Sequence, residues 1–90
     1  MLERTVTVIN PLGLHARAAA KLVRLANGFE SKVSLQKLDS DVIADAKSIL
    51  SLLYVAAGKG SVVCITVDGP DESEAAAAIE QLFSSGFGEI

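Results

Sequence analysis

The hydrophobic pattern switches period along the chain. Residues 4 to 9, RTVTVI, repeat every second position, with Val6 and Val8 on one face and Thr5 and Thr7 on the other. That is the signature of a strand with one solvated side. Asn10-Pro11-Leu12-Gly13 supplies turn chemistry. From Ala16 to Asn27 the spacing becomes helical: Ala16, Ala19, Ala20, Val23 and Ala26 recur on one face with Leu22 beside them, and Asn27-Gly28 stops the helix. Small alanines on that face allow a helix to approach a sheet closely. Alternation returns in KVSLQKL, residues 32 to 38, with Val33 and Leu35 inward, and a turn at Asp39-Ser40 leads into a short strand near Asp41 to Ala44. The two strands predict a hairpin.

DAKSILSLLYVAA, residues 45 to 57, is apolar on almost every side until Gly58-Lys59-Gly60 ends it. SVVCITVD, residues 61 to 68, is rich in β-branched residues and predicts a strand with Val63, Ile65 and Val67 facing the core. Val62, Cys64 and Thr66 fall on its other side. Gly69-Pro70 turns the chain, Asp71-x-x-Glu74 has the form of a capping box, and Ala75, Ala78, Ile79, Leu82 and Phe83 make the stripe of a last helix closed by Gly86. The order is βαββαβα, an α+β fold with a four-stranded antiparallel sheet and three helices on one face. No repeat, linker or low-complexity segment divides it, so residues 1 to 90 are read as a single domain.

Composition narrows the function. Half of the 90 residues are apolar, enough for one small core. No apolar run reaches eighteen residues and Met1-Leu2-Glu3-Arg4 runs directly into the first strand, so neither a membrane span nor a signal peptide is expected. The single Cys64 cannot form an internal disulfide, which points to the cytoplasm. With 8 Lys and Arg against 11 Asp and Glu, and few aromatics, the chain does not read as a nucleic-acid binder.

His15 is the sole histidine. A lone histidine is commonly structural or merely exposed, but this one immediately precedes a helical pattern, where the first backbone N–H groups lack intrahelical partners. An anion there gains the N–H groups of Ala16 and Arg17 and the favourable end of the helix dipole, and the Arg17 guanidinium can fork onto phosphate oxygens. Metal binding is a poor explanation, because no second histidine or cysteine cluster completes a coordination shell. Nothing resembles the nucleophile elbow of a hydrolase. Histidine as a nucleophile that itself carries a group remains. An imidazole is largely neutral at physiological pH, and a helix N-terminus and Arg17 both disfavour its cation while favouring an arriving phosphate.

NPLGLHARAAAKLV, DAKSILSLLYVAAGKG and the ending LFSSGFGEI together resemble the HPr family of histidine phosphocarrier proteins over essentially the whole chain. KSILSLL and LFSSGF resemble its nitrogen-related, NPr-like branch more than the sugar-transport branch. The resemblance implies an open-faced β-sandwich. It implies that Nδ1 of His15 accepts a phosphoryl group from phosphorylated enzyme I, whose donor is phosphoenolpyruvate, and passes it to an enzyme IIA-type protein in sugar transport or nitrogen-related regulation. Arg17 falls on the family's active-centre arginine. Ala18 departs from the pattern, standing where many members have a proline that would pre-set the first helical turn. No cofactor or metal is implied.

Ser48 opens the second helical stretch. Its plain reading is an N-cap serine; the resemblance makes it a regulatory site for an HPr kinase/phosphatase, with Lys47 beside it. Ile49, Leu50, Leu53 and Tyr54 surround Ser48, while Leu52 and Val55 suit the core. With Arg17, Lys21 and Arg24 at spacings of four and three, they read as a docking surface for acidic partners on a monomer, against the plain alternative of a solvated face. Two other functions compete: a regulatory protein-binding module whose affinity is switched by phosphorylation, and a small acylphosphatase-like hydrolase, for which an arginine is present but no matching phosphate loop.

Overall fold

The computed structural model describes residues 1–89. Its elements are β1 (Leu2–Thr7), α1 (Ala16–Asn27), β2 (Lys32–Lys37), β3 (Ile43–Asp45), α2 (Ile49–Val55), β4 (Val62–Asp68) and α3 (Glu72–Ser84), followed by a 3₁₀ turn at Gly86–Gly88. The order is the one the periodicities predict. The strands form one antiparallel sheet in the order β1-β4-β2-β3, so the β-branched β4 runs through the middle, between β1 and β2.

Register puts the alternating residues into rows. Val6 lies opposite Val63, Val67 opposite Val33, and Leu35 faces both Ile65 and Ala44. This side is the core, shared with Ala18, Ala19, Leu22 and Ala26 of α1, Leu52 and Val55 of α2, and Ala75, Ala76, Ile79 and Phe83 of α3. All three helices therefore cover one face. The other face carries Glu3 beside Thr66 and Ser34, and Thr5 beside Cys64 and Gln36, none of them buried. Among the described residues no helix is long and apolar enough to cross a membrane.

Local predictions shift where tertiary contacts outweigh them. β1 spans 2 to 7 rather than 4 to 9, with the fully buried Val8 just beyond it. Leu38 falls outside β2 and is exposed, and β3 starts at Ile43 rather than near Asp41. The inward stripe of α1 is Ala18, Ala19, Leu22 and Ala26, whereas Ala16 is exposed and Ala20 and Val23 are half-buried. In α3 the core takes Ala76, while Ala78 and Leu82 lie at its margin.

The capping box at α3 is not formed. Asp71 stands at the N-cap but makes no side-chain cap bond; its carboxylate accepts from the Glu30 N–H (2.9 Å), the Ser31 N–H (3.0 Å) and the Ser31 hydroxyl (2.5 Å). Ser31 can come so close because residue 69 is glycine: a Cβ there would meet Ser31 Cα at 2.6 Å. A loop forty residues away has taken the carboxylate that local sequence assigned to the helix. Glu72, not Glu74, closes the turn, accepting from the Gly69 N–H at 3.2 Å.

Candidate active site

The loop before α1 is built to aim His15 outward. Asn10 and Gly13 close a turn, the Gly13 N–H donating to the Asn10 carbonyl at 3.0 Å and the Asn10 amide donating back to the Gly13 carbonyl at 2.7 Å. Gly13 has φ +66°, and a Cβ on it would meet the Ala57 carbonyl oxygen at 2.7 Å, so only glycine fits. Leu14 then drops into the core while its N–H donates to Ala57 O at 2.8 Å. With Leu14 turned in, His15 follows at the N-cap of α1 in extended backbone, its side chain making no cap bond. Its carbonyl accepts the first helical bond, from the Ala19 N–H at 2.8 Å. The N–H groups of Ala16, Arg17 and Ala18 precede that bond and have no intrahelical acceptor.

The imidazole is 25% exposed, and its Nε2 lies 2.5 Å from Glu89 Oε2. The other carboxylate oxygen, Glu89 Oε1, accepts from the Asn10 amide at 2.9 Å. The Asn10 amide, supported by His15 and Lys21, holds the Glu89 carboxyl below the usual carboxylate range against the opposing effect of burial. Asn10 is itself fully buried, with Nδ2 shared between Gly13 and Glu89, while its Oδ1 has no partner among the described residues.

Glu89 reaches His15 because the chain doubles back after α3. Gly86, Phe87 and Gly88 all adopt positive φ, of 62°, 57° and 74°. For Phe87 this conformation costs roughly 1–2 kcal/mol. Burial offsets it: Phe87 is 1% exposed and stacks edge-on against Phe83, the ring centroids 4.9 Å apart. The Phe87 carbonyl in turn accepts from the Lys21 ammonium at 2.5 Å. Gly86 thus begins a return of the chain rather than simply closing the helix.

Beside the ring, a depression of about 450 Å³ is lined by Pro11, Leu12, Arg17, Lys21, Gly88 and Glu89. Arg17 is exposed and makes no ion pair among the described residues, and the first turn of α1 holds no acid. A phosphate-sized anion placed here meets N–H groups without an intrahelical acceptor and a guanidinium with no ion pair among the described residues, and α1 has no first-turn carboxylate to compete with it.

The remaining predicted residues divide. Ser48 is the N-cap of α2, its Oγ accepting from the Ser51 N–H at 3.3 Å. Ile49 and Leu53 are about a third exposed and Leu50 and Tyr54 mostly exposed, while Leu52 and Val55 are buried. Through the Ala57 carbonyl, the segment just after α2 is tied to the loop that presents His15. Of the cations, Arg17 and Arg24 are exposed; Lys21 is engaged with Phe87, and Lys47 donates to the Phe29 carbonyl at 2.8 Å rather than standing free beside Ser48. Sequence reasoning surrounded His15 with positive groups alone and missed both Glu89 and Asn10. The available signal was the glycine pair flanking Phe87, which marks a tight return of the chain.

Comparison with known proteins decides the family. The family model described as the PTS HPr component phosphorylation site matches residues 2–85. The chain belongs to the HPr family of phosphocarrier proteins. It is 51% identical over 89 residues to the phosphocarrier protein HPr of Cupriavidus necator, covering 99% of this chain and 98% of that one. With the phosphocarrier protein NPr of Escherichia coli it shares 42% over 88 residues, 98% and 97% of the two chains. These identities give the nitrogen-related branch no preference. The crystal structure of HPr-C-His from Thermoanaerobacter tengcongensis superposes with a TM-score of 0.93 at 38% identity, covering 100% of this chain and 99% of that chain. Glu89 lies beyond the segment that the family model matches.

Proposed function

We propose that His15 is the residue through which this HPr-family carrier works. Nδ1 of His15 attacks the phosphorus of a phosphohistidine on enzyme I, itself charged from phosphoenolpyruvate. A P–N bond forms at Nδ1 as the P–N bond of the donor breaks and its electron pair returns to the donor ring. The reverse displacement hands the group to a histidine of an enzyme IIA-type acceptor. The chain is then a carrier, consumed and regenerated, rather than an enzyme. We place it in the cytoplasm, as a monomer.

The observation that carries this reading is the position of His15 at an uncapped helix N-terminus beside Arg17, with Nε2 already engaged and Nδ1 unbonded among the described residues. Arg17 and the N–H groups of Ala16 and Arg17 receive the phosphoryl oxygens. Ala18 is fully buried under the sheet, so the helix start is fixed by packing without proline. Leu50 and Tyr54, with Ile49, Leu53, Arg17 and Arg24, form the docking face for enzyme I and the IIA protein. Ser48 stands inside that face, where phosphorylation by an HPr kinase/phosphatase would add roughly −2 charge and repel acidic partners.

Incubation with enzyme I and labelled phosphoenolpyruvate tests the reading. Wild type takes up acid-labile label, and His15→Ala, which removes a partly exposed ring and little core, stays folded and takes up none. Label retained on folded His15→Ala overturns the assignment. The exposed α2 face also supports a second role as a binding module switched by phosphorylation; that role alone would leave partner binding without transfer. Catalytic release of phosphate from a small acyl phosphate would instead indicate a hydrolase.

A further inference from the structure

We propose that Glu89, anchored by Asn10, is a positioning residue that keeps a proton on Nε2 of His15 in both the free and the phosphorylated carrier. The phosphoryl group then enters and leaves Nδ1 with no proton transfer at the ring. The inference rests on His15 being the acceptor.

An ionised carboxylate can only accept a hydrogen bond. At 2.5 Å from Glu89 Oε2, Nε2 must therefore be the donor. A neutral imidazole has one N–H, so with the proton on Nε2 the lone pair is on Nδ1. One contact selects the nucleophilic nitrogen. When the Nδ1 pair forms the P–N bond, the ring keeps its Nε2 proton and becomes an imidazolium, and its new positive charge sits against the Glu89 carboxylate. On transfer the P–N electrons return to Nδ1, and the neutral Nε2–H ring is restored. Were that proton lost in between, the departing ring would be an imidazolide anion, a far poorer leaving group. The logic is that of a carboxylate orienting a catalytic histidine.

The bridge is rigid at both ends. Asn10 is fixed within the turn that presents His15, its amide donating to Gly13 O at 2.7 Å and to Glu89 Oε1 at 2.9 Å. Glu89 is delivered by the chain reversal that buries Phe87 and ties its carbonyl to Lys21. Lys21 and Arg17, the other charged side chains lining this recess, are both cationic, so among the described residues Glu89 is the anionic side chain that lines it.

Ring ¹⁵N spectra of His15, recorded with and without the phosphoryl group, give a readout that a merely structural role would not move. Wild type should show the proton confined to Nε2 in both forms. Glu89→Ala and Glu89→Gln should show an Nδ1–H fraction in the free ring, and transfer from phosphorylated His15 to a IIA protein should slow by about tenfold, a typical loss for removing such a supporting partner. Asn10→Ala should do the same more weakly. Unchanged spectra and rates in folded Glu89→Ala overturn the inference. Absence of label on wild type would instead sink the acceptor reading, while the free-ring spectra would still report whether Glu89 holds the proton.

Discussion

The helices α1 and α3 begin in opposite ways. At α3 the N-terminus is filled: Asp71 occupies the N-cap, Glu72 and Glu74 lie in the first turn, and the Met1 ammonium sits 3.0 Å from Glu72 and 3.7 Å from Asp68. Neither N-cap side chain makes a cap bond, but at α1 the acids are missing: the first turn is Ala16-Arg17-Ala18, and the nearby carboxylate of Glu89 is bound to the far edge of the imidazole. Acids at a helix start interact favourably with the dipole, so α1 forgoes a stabilisation that α3 takes up. What α1 keeps in exchange is room for an external anion. Among the described residues, the two helix starts differ in the acids that α3 has in its first turn and α1 lacks, and Arg17 in the first turn of α1 deepens the contrast.

Filling the vacancy is the strongest way to break this comparison. Ala16 is exposed, so Ala16→Asp introduces a first-turn acid without disturbing the core. Helix stability should rise by about 0.3–1 kcal/mol, while the carboxylate meets the incoming phosphoryl dianion. Repulsion of about 2 kcal/mol, at the solvated end of the Coulomb range, corresponds to a roughly thirtyfold slower phosphorylation by enzyme I. A stabilised protein phosphorylated at the wild-type rate would show that the open N-terminus has no catalytic use. Leu53→Glu asks next whether the apolar face of α2 serves the same event. Leu53 is 36% exposed, so the melt should stay near that of wild type while exchange with enzyme I weakens about tenfold, the equivalent of roughly 1.4 kcal/mol. A collapsed melt would make Leu53 core rather than interface.

How far such features were legible follows from the range of the interactions involved. The strands β2 and β4 and the helix α1 were readable because their signal is local: Val33, Leu35, Val63, Ile65 and Val67 alternate as their burial does. The inward face of α1 was not, because Ala16, Ala18, Ala19 and Ala20 fit two neighbouring stripes equally well, and a methyl group carries too little hydrophobic bias to choose. Packing under the sheet chose Ala18 and Ala19. His15 and Arg17 were legible as a motif at a helix start. Glu89 was not, since its partner lies 74 residues away and the link depends on the left-handed turn around Phe87. Asp71 failed for the same reason in reverse: a good local cap was claimed by Ser31.

Asp71 also provides the mildest perturbation and the cleanest control. The Ser31 hydroxyl first, and then the Glu30 N–H, hold its carboxyl below its ordinary value of 3.8. Asp71 thus stays charged in the folded protein at a pH where the unfolded chain already binds its proton, and acidification favours unfolding through that difference. Its contribution is fully present above pH 3.8 and is lost as the pH falls through the lower folded value. Glu72 and Glu89 are shifted in the same direction, so wild type alone cannot isolate Asp71. Asp71→Asn does, because an amide keeps an acceptor oxygen for Ser31 but has no charge to lose. At neutral pH the variant should melt slightly below wild type, and the gap should narrow as both are titrated from about pH 5 to about pH 3. Its phosphorylation by enzyme I at neutral pH should match wild type, since the filled end of α3 takes no part in transfer. A gap that stays constant with pH would mean that Asp71 acts through hydrogen-bond geometry alone, and slowed phosphorylation would mean that the two helix starts are coupled rather than separate.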